Sequence, residues 1–467
     1  MTNIWKACRL LLIIGLLILP GCSIGASVNG AGATAAADII TGSDLGTVYN
    51  VQNFGAWGDG VNDDSQAIQQ AADKARDNKG SLLIPAGNYL LRERVRFYTS
   101  VDCQGTFIME NGNNNASIVV SRWGKFTKIP PEKLSGLSRG STQIKGLEGT
   151  PGSTVVIKSA EKLINREQWG SDYNKEDTVE ITGSGGMISP ALDAAYKGLS
   201  GVTVTVYEDA PIIISNLKVQ AVGDTAGNSH LVFCVRSNVT FKNPRIVNSA
   251  EKGTAGCGLH IYDCVNVDVI NPVIANFKPP GGDGYGMALG STANINILEG
   301  NITDCSNHAI TGRQDKNVLV KGGIYEGGIS ALDDHWGNQF SVQDAVLIGD
   351  SGITYAGTDI KIVNCEFREC INILAVRTDT PVLMGSVTME NITASLKKDH
   401  KTMFCYRAES LADTVPDKIT AANITPSIPQ DGYFHCLEIN PANHDDYAGK
   451  TYFSNIRTEG KKGTVIR

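Results

Sequence analysis

The sequence predicts an all-β protein, a single-stranded right-handed parallel β-helix with an N-terminal capping helix. A short pattern recurs seven times between residues 239 and 395: a β-branched or aromatic residue, a spacer, an apolar residue, a polar turn residue and a second apolar pair. It reads VTFKNPRIV, VDVINPVIA, INILEGNIT, VLVKGGIYE, FSVQDAVLI, IKIVNCEFR and VTMENITAS, with starts 28, 28, 23, 22, 20 and 27 residues apart. This period indicates stacked units that cannot bury their apolar faces alone. Strand-forming residues broken by Asn, Gly and Asp favour β-coils over helical repeats.

Composition agrees with one elongated, turn-rich domain. The chain has 467 residues, including 51 glycines, and only 7% of its residues are aromatic. Because each coil of a stack adds its own core, such a domain can exceed the usual domain size. The formal charge of −7 gives no electrostatic footprint for nucleic acid.

The first 21 residues are typical of an export signal. Lys6 and Arg9 precede the apolar run LLLIIGLLIL, which is too short to span a bilayer. LPGC, ending at Cys22, resembles the lipobox of bacterial lipoproteins. We therefore expect export and a lipid anchor on Cys22, in the outer membrane if the cell is Gram-negative, because Ser23 follows. A plain secretory signal is the alternative. Residues 22–46 are small and polar and indicate a tether.

The remaining chain divides into four predicted segments. Residues 47–115 should form the N-terminal cap and first coils, where Asp63 or Asp64 caps a helix with Ile68 and Ala72 on its apolar face. Residues 116–210 should be early coils with long loops at one rim, and exposed Trp169 on such a loop is a candidate for stacking on a sugar. Residues 211–395 should be regular coils, and residues 396–467 a C-terminal coil and cap.

The cysteine count leaves two alternatives open. Without Cys8 and Cys22, nine cysteines remain, so at least one is unpaired if the protein is exported. Cys257 and Cys264 flank one strand and are candidates for a disulfide. The other interpretation is that the cysteines pack as small apolar residues inside the coils.

The coil register gathers distant polar residues onto one outward face. Residues at the same offset in successive coils stack in columns about 4.8 Å apart. Counting back from each repeat start places six chemistry-bearing side chains on this face: His260, Tyr262, Arg313, Asp333, His335 and Tyr355. Aligning ILAVR with AITGR adds Arg377 to the column of Arg313. Asp334 falls at an inward offset and is the exception to an apolar interior.

The N-terminal segment also resembles a known family. FGAWGDGVNDDSQAIQQAADKA followed by GSLLIPAGNYLL is similar to the opening of pectate-lyase-like right-handed β-helix proteins. The resemblance implies this fold and the carbohydrate-active superfamily that contains pectate lyases, polygalacturonases and phage tailspike depolymerases. It carries no catalytic residues across. The paired-aspartate and GHG motifs of polygalacturonases are not found as such.

The outward face fits a polysaccharide lyase acting on a uronate-containing polymer. A lyase needs a cation to neutralise the uronate carboxylate and a base for the adjacent proton. We predict Arg313, Asp333 and His335 as catalytic residues, with Asp333 orienting His335. Predicted substrate-binding residues are His260, Tyr262, Asp283, Tyr355 and Arg377. Of these, Tyr355 is an alternative base and Arg377 a second neutralising cation.

Three alternatives remain at this stage. An inverting hydrolase needs two carboxylates roughly 6.5–9.5 Å apart, for which Asp333 with Asp283 is the best pair and Asp334 a substitute. A uronate epimerase would use the lyase machinery. A glycan-binding surface lipoprotein would need no chemistry. In pectate lyases calcium replaces such arginines, but no cluster of three or four oxygen ligands stands out, so no cofactor is predicted and calcium is the alternative. The oligomeric state is not predicted.

Overall fold

The computed structural model describes residues 46–110, 117–164, 172–223, 230–249, 255–279, 284–380, 383–408, 415–439, 447, 449–457 and 464–466. The N-terminal part contains a 3-10 helix, Val51–Phe54, and the helix α1, Ser65–Asp77. Its strands are β1 Val48–Asn50, β2 Asp59–Asp63, β3 Ser81–Ile84, β4 Asn88–Leu91, β5 Arg94–Phe97, β6 Val101–Cys103, β7 Thr106–Glu110 and β8 Ser117–Val120.

A second group of strands follows, with a 3-10 turn at Pro131–Lys133. These strands are β9 Phe126–Ile129, β10 Thr154–Ile164, β11 Tyr173–Gly183, β12 Met187–Ser189 and β13 Thr203–Tyr207.

The body of the molecule then runs to the C-terminus. Its strands are β14 Ile212–Ser215, β15 Lys218–Val222, β16 His230–Cys234, β17 Val239–Lys242, β18 Arg245–Asn248, β19 Cys257–Tyr262, β20 Val265–Ile270, β21 Val273–Phe277, β22 Tyr285–Gly290, β23 Ala293–Cys305, β24 His308–Gly312, β25 Lys316–Gly327, β26 Ser330–Gln343, β27 Val346–Ile348, β28 Ser351–Val363, β29 Glu366–Cys370, β30 Asn372–Val376, β31 Leu383–Leu396, β32 Thr402–Ala408, β33 Lys418–Ser427, β34 Tyr433–Ile439, β35 Thr451–Ile456 and β36 Thr464–Ile466.

Parallel pairing arranges these strands in three ladders, which confirms the predicted parallel β-helix. The first ladder runs β1-β3-β6-β14-β17-β20-β23-β25-β26-β28-β31-β33-β35. The third ladder runs β5-β8-β16-β19-β22-β24-β26-β28-β30-β32-β34-β36. The second ladder lies between them in each coil. Long strands such as β26 turn a corner and contribute to two ladders.

Apolar side chains fill the interior of the coils in continuous columns. One inward column of the third ladder contains Leu259, Met287, Ile310, Leu332 and Ile353, each at most 1% exposed. Removing these side chains from water is the main favourable contribution to the stack. The nine cysteines among the described residues are also buried and unpaired, so Cys257 and Cys264 form no disulfide.

Asparagines hold the turns between coils. Asn238, Asn266, Asn294 and Asn317 occupy the same corner of successive coils, each with a φ between 52° and 58°. Asparagine tolerates this left-handed conformation better than most residues. Each side-chain amide donates to the carbonyl oxygen of the preceding one, at 2.8–3.0 Å. The asparagine that directly precedes each of these repeat starts therefore belongs to a structural ladder.

Helix α1 forms the predicted N-terminal cap. Its residues Ile68, Ala71, Ala72 and Ala75 are buried against the first coils. Asp64 stands at the N-cap, but its carboxylate accepts hydrogen bonds from the backbone N–H groups of Trp57 and Gly58. The helix covers an apolar end that would otherwise face water.

The prediction of early coils over residues 116–210 is wrong for most of that segment. Residues 126–207 instead contain a five-stranded antiparallel sheet in the order β12-β11-β10-β13-β9, which we call the insert. Its core is separate from that of the coils and includes Val155, Ile157, Val179, Ile181 and Val204. Alternating apolar residues fit an antiparallel strand and a coil strand alike, so the pattern did not separate them.

The C-terminal segment also departs from expectation. Strands β32, β33 and β34 continue the ladders through residues 402–439, where one C-terminal coil and a cap were expected. The first ladder therefore has thirteen strands in the described part of the chain.

Candidate functional site

The site lies on the outward face of the third ladder, midway along the stack. Strand register places Phe233, His260, Ala288, Thr311 and Asp333 in one column, one residue per coil. Thr354 follows in the next coil. Tyr262, Arg313 and His335 lie two residues after His260, Thr311 and Asp333, near the corner that leads to the first ladder. The structure thus brings together residues that are far apart in sequence.

Tyr355 is not on this face, which corrects the prediction. It pairs with Asp334 rather than following the column of His335, and it is 0% exposed in the interior. The corner after Asp334 holds two residues before Gly337, whereas the corner after Tyr355 holds only Ala356 before Gly357. Counting back from the repeat start across corners of unequal length shifted the register by one. Thr354 takes the outward position instead.

Asp333 is the centre of a dense hydrogen-bonding cluster. Its Oδ1 accepts hydrogen bonds from the Arg377 guanidinium and from Thr354 Oγ1, the latter at 2.5 Å. Its Oδ2 accepts from Thr311 Oγ1 at 3.0 Å and lies 3.3 Å from His335 Nε2. Burial alone would raise the pKa of Asp333, but His308, Arg377 and His335 outweigh it and hold the pKa well below its usual range. Asp333 is therefore an ionised acceptor that fixes its neighbours.

His335 lies between two buried carboxylates. Its Nε2 faces Asp333, and its Nδ1 lies 3.5 Å from Asp379 Oδ2 without a hydrogen bond. The side chain is 13% exposed, and the ring meets Tyr173 edge-on at 5.5 Å. If Nε2–H donates to Asp333, Nδ1 is the ring atom that can accept a proton.

His308 was not predicted from the sequence, and it approaches the Asp333 carboxylate from the other side. Its Nε2 lies 3.8 Å from Asp333 Oδ2, and its Nδ1 is 2.7 Å from Ser330 Oγ. Tyr285 stacks on the ring in a parallel arrangement at 5.7 Å. Burial lowers the pKa of His308, although Asp333 opposes this. Its position three residues before Thr311, at the start of β24, lies outside the alternation used for the prediction.

Arg377 is fully engaged with protein carboxylates, which corrects its predicted role. Its Nε and Nη2 donate to both oxygens of Asp379 at 2.8 and 3.0 Å, and Nη1 donates to Asp333. Burial would lower the pKa of Arg377, but the two carboxylates raise it. A cation neutralised by two buried acids has no charge left for a substrate carboxylate. Arg377 instead holds Asp333 in place.

Arg313 has a different environment. Its guanidinium carbon lies 5.3 Å from the ring centre of Tyr173 and 5.6 Å from that of Tyr262, both within cation–π range. Within the described residues, no carboxylate forms an ion pair with this guanidinium. Arg313 is therefore the cation of the site that remains available for an anionic ligand.

The insert supplies one wall of the site. Tyr173 and Glu176 on β11 and Lys158 on β10 reach the face of the third ladder. Lys158 Nζ donates to the Tyr262 hydroxyl at 3.2 Å, and this hydroxyl donates to Glu176 Oε2 at 3.1 Å. Burial, with Asp263 and Glu176, raises the pKa of Tyr262. Sequence reasoning could not place these residues, because it did not recognise the insert as a sheet.

Rings cover the N-terminal end of the face. His260 stacks on His230 with a ring separation of 4.7 Å and an angle of 25°. Phe233 lies 4.6 Å from His260, and all three side chains are partly exposed. Burial, His230 and Arg313 lower the pKa of His260 to about 3, and burial lowers that of His230. Both imidazoles are therefore uncharged at neutral pH.

A buried carboxyl pair lies beneath the face. Asp334 points inward, where its Oδ1 accepts from the Trp336 N–H and its Oδ2 has no hydrogen-bond partner among the described residues. Asp315 accepts from Thr292 and from the Arg313 N–H. Burial first, then Asp315, raises the pKa of Asp334 well above its usual range, and burial raises that of Asp315 to about 7.

Several predicted features lie outside the described residues: Asp283, Trp169, and the signal and tether including Cys22. Across the described ranges, no group of three or more His, Cys, Asp or Glu side chains is arranged to hold a metal ion. No helix in the same ranges is long and apolar enough to cross a membrane.

Fold and face together define a parallel β-helix with a polar outward ladder and an inserted antiparallel sheet. Residues 48–121 match the family model described as rhamnogalacturonase A/epimerase, pectate lyase-like. This segment contains α1 and the first strands, so the predicted resemblance to pectate-lyase-like β-helix proteins is confirmed there.

Individual proteins are similar over different lengths. The tailspike gp61 of Pseudomonas phage phi297 covers 90% of this chain and 76% of its own, with 14% identity and a TM-score of 0.63. The Gp54 tailspike of Acinetobacter baumannii bacteriophage AP22, solved with a capsular saccharide, covers 88% and 79%, with 12% identity and a TM-score of 0.52. At these identities, the similarity establishes the fold.

A curated relative is more similar in sequence but matches a short segment. Plasmin and fibronectin-binding protein A of Streptococcus pneumoniae is 37% identical over 127 residues, which is 24% of this chain. The match spans 18% of that protein, about a fifth of its length.

Proposed function

We propose that the chain is a polysaccharide lyase that acts on a uronate-containing polymer in the groove between the third ladder and the insert. The observation that carries the proposal is the state of Arg313. Arg313 is a cation held between Tyr173 and Tyr262, with no carboxylate partner among the described residues, beside the Asp333–His335 pair. Such a cation suits the carboxylate of a bound uronate, whose adjacent proton becomes acidic only when that charge is neutralised.

The neighbouring residues supply the proton chemistry. Asp333 fixes the orientation of His335 through Nε2, and His335 Nδ1 accepts the proton from the carbon that bears the carboxylate. The electrons of that C–H bond form a double bond as the glycosidic bond breaks, and water protonates the released oxygen. Because Nδ1 is shielded from solvent and faces Asp379 Oδ2 at 3.5 Å, the ring or its neighbours must move for the proton to reach it.

The low pKa of Asp333 argues against this residue as the proton-donating acid of a hydrolase. A glycosidase needs one carboxyl that is protonated and able to donate to the leaving oxygen. Asp333 is held ionised by its four donors, and Asp334 points into the interior. A lyase or epimerase needs no carboxylic acid in this position.

Binding without catalysis is the second candidate. Arg377 forms ion pairs with both Asp333 and Asp379, which a purely structural cluster would also do. The relative from Streptococcus pneumoniae is named for binding plasmin and fibronectin, and this favours a surface location. The lipid anchor on Cys22 stays a prediction, and calcium stays the alternative to the predicted absence of a cofactor.

The proposal is tested by product analysis of the full chain with alginate, polygalacturonate and hyaluronan. We expect one of these polymers to gain the ultraviolet absorbance of an unsaturated sugar end. Arg313→Gln and His335→Gln should each lower turnover by about 100-fold or more, while Tyr262→Phe mainly raises KM. Arg368→Gln is the control, since Arg368 is exposed and pairs with Glu366 elsewhere on the surface.

Two outcomes contradict the proposal. Wild-type activity in both variants places the reaction centre elsewhere. Binding of a polymer without any product assigns the groove to recognition alone.

A further inference from the structure

The outward column of the third ladder changes its chemistry along its length. Asp333 and Thr311 form the polar end, and Ala288 separates them from His260 and Phe233. Four coil steps of about 4.8 Å place Phe233 roughly 19 Å from Asp333. A linear polymer that lies along this column can reach Arg313 and Phe233 at once, since both side chains are partly exposed.

The middle of the column is low because its side chains are small. Ala288 is followed at the next outward position by Gly290. A Cβ at Gly290 would lie 2.6 Å from the Tyr262 ring and 3.6 Å from Arg313 Nε. The absence of a side chain there lets Tyr262 and Arg313 lean over the floor, so the cation sits next to the aromatic end.

The aromatic end is a mixed platform of His230, Phe233 and His260. The three rings lie 4.6–4.9 Å apart, and each side chain remains partly exposed. Both imidazoles are neutral, so the platform offers uncharged ring faces. Such faces favour the C–H face of a pyranose, whereas a carboxylate placed on them would lose its hydration without a partner.

We propose that His230, Phe233 and His260 form a stacking subsite for a neutral sugar of the same chain whose uronate lies at Arg313. This rests on the proposed function and narrows its substrate class. The preferred polymer is a heteropolysaccharide with neutral sugars beside its uronates, and a polymer of uronates alone is a poor ligand. The ring column gives the bound chain a direction, with its neutral sugar toward the N-terminal coils.

The experiment measures affinity of the full chain for two probes by affinity electrophoresis. Hyaluronan alternates a uronate with a neutral N-acetylated sugar, and alginate contains only uronates. We expect the wild type to bind hyaluronan about tenfold more tightly than alginate. Phe233→Leu keeps an apolar side chain without a ring and should remove this preference, while Phe233→Tyr should retain it.

The controls separate this subsite from the groove itself. Phe126→Leu changes an exposed ring on β9 and should leave both affinities unchanged. Arg313→Gln should weaken both probes equally. If Phe233→Leu binds hyaluronan like the wild type while Arg313→Gln is weakened, the subsite is wrong and the proposed function stands. If Arg313→Gln binds both probes like the wild type, or the wild type binds neither, the proposed function fails and the subsite with it.

Discussion

Arg313 and Arg377 occupy the same offset in their coils, yet only one of them is available to a ligand. Arg377 donates to two buried carboxylates, whereas the Arg313 guanidinium lies against two aromatic rings and has no carboxylate partner in the described part of the chain. The difference comes from Asp379, two residues after Arg377, which the sequence pattern gave no reason to single out. Residue identity and offset therefore predicted the location of both arginines but not which charge is compensated.

The buried pair Asp315 and Asp334 makes stability depend on pH. Because burial raises both pKa values, the folded protein keeps protons that the unfolded chain releases. Stability from this pair is fully present below the ordinary carboxyl pKa of about 3.9. It is lost as pH rises toward the pKa of about 7 for Asp315.

Asp334→Asn should flatten this decline, because the amide has no proton to lose. We expect Tm to fall less between pH 5 and pH 8 than in the wild type, as measured by thermal unfolding at both pH values. Asp431→Asn is the control, since this exposed carboxylate pairs with Lys401 and its pKa is lowered by that contact. Equal slopes in wild type and Asp334→Asn would show that the pair does not carry the proton.

At the scale of elements, the insert is held to the coils by buried polar contacts. Lys316 Nζ lies 2.5 Å from Asp177 Oδ1, and both side chains are almost completely buried. Asp177 also accepts from the Tyr196 hydroxyl and the backbone of Asp193. Thr178, which follows Asp177 on β11, has its hydroxyl oxygen 3.0 Å from that of Ser291 in the coils. These contacts set the position of β11, which carries Tyr173 over the site.

Lys316→Met should uncouple this contact by leaving Asp177 as a buried charge without its cation. Removing one partner of a buried ion pair costs about 3–5 kcal/mol, and we expect a loss of this size in the free energy of unfolding from urea titration. Lys401→Met, in an exposed pair with Asp431, should give no measurable change. Equal stability of the two variants would mean that the insert does not depend on Lys316.

Elements could be predicted where their apolar residues repeat at a regular spacing in the sequence. Inward residues such as Leu259 and Leu332 repeat in sequence, so the coils and their interior were predicted. The corner between Asp334 and Gly337 has no such repeat. Because it is one residue longer than the next corner, the predicted register placed Tyr355 outward, whereas it lies inward beside Asp334. The insert was not predicted, because its alternation of apolar residues resembles that of a coil strand. Its contacts with Tyr262 and Arg313 depend on packing between segments that are distant in sequence.

In the whole molecule, the stack places outward side chains drawn from residues 230–379 on one face. The insert covers one side of that face. The N-terminal coils contribute uncharged rings, and the central coils contribute the Asp333 cluster and Arg313. The fold could be predicted because the spacing of the coils appears as a repeat in the amino-acid sequence. The contacts of this face with β10 and β11 could not be predicted, since they arise from long-range packing.

The proposed function requires Arg313 to receive the carboxylate of a bound uronate. The most direct measurement is a crystal structure of the full chain with a hyaluronan oligosaccharide. We expect the uronate carboxylate within hydrogen-bonding distance of the Arg313 guanidinium and the neighbouring sugar toward Phe233. A carboxylate bound elsewhere, such as in the cavity of about 310 Å³ lined by Lys278 and Lys397, would contradict the claim.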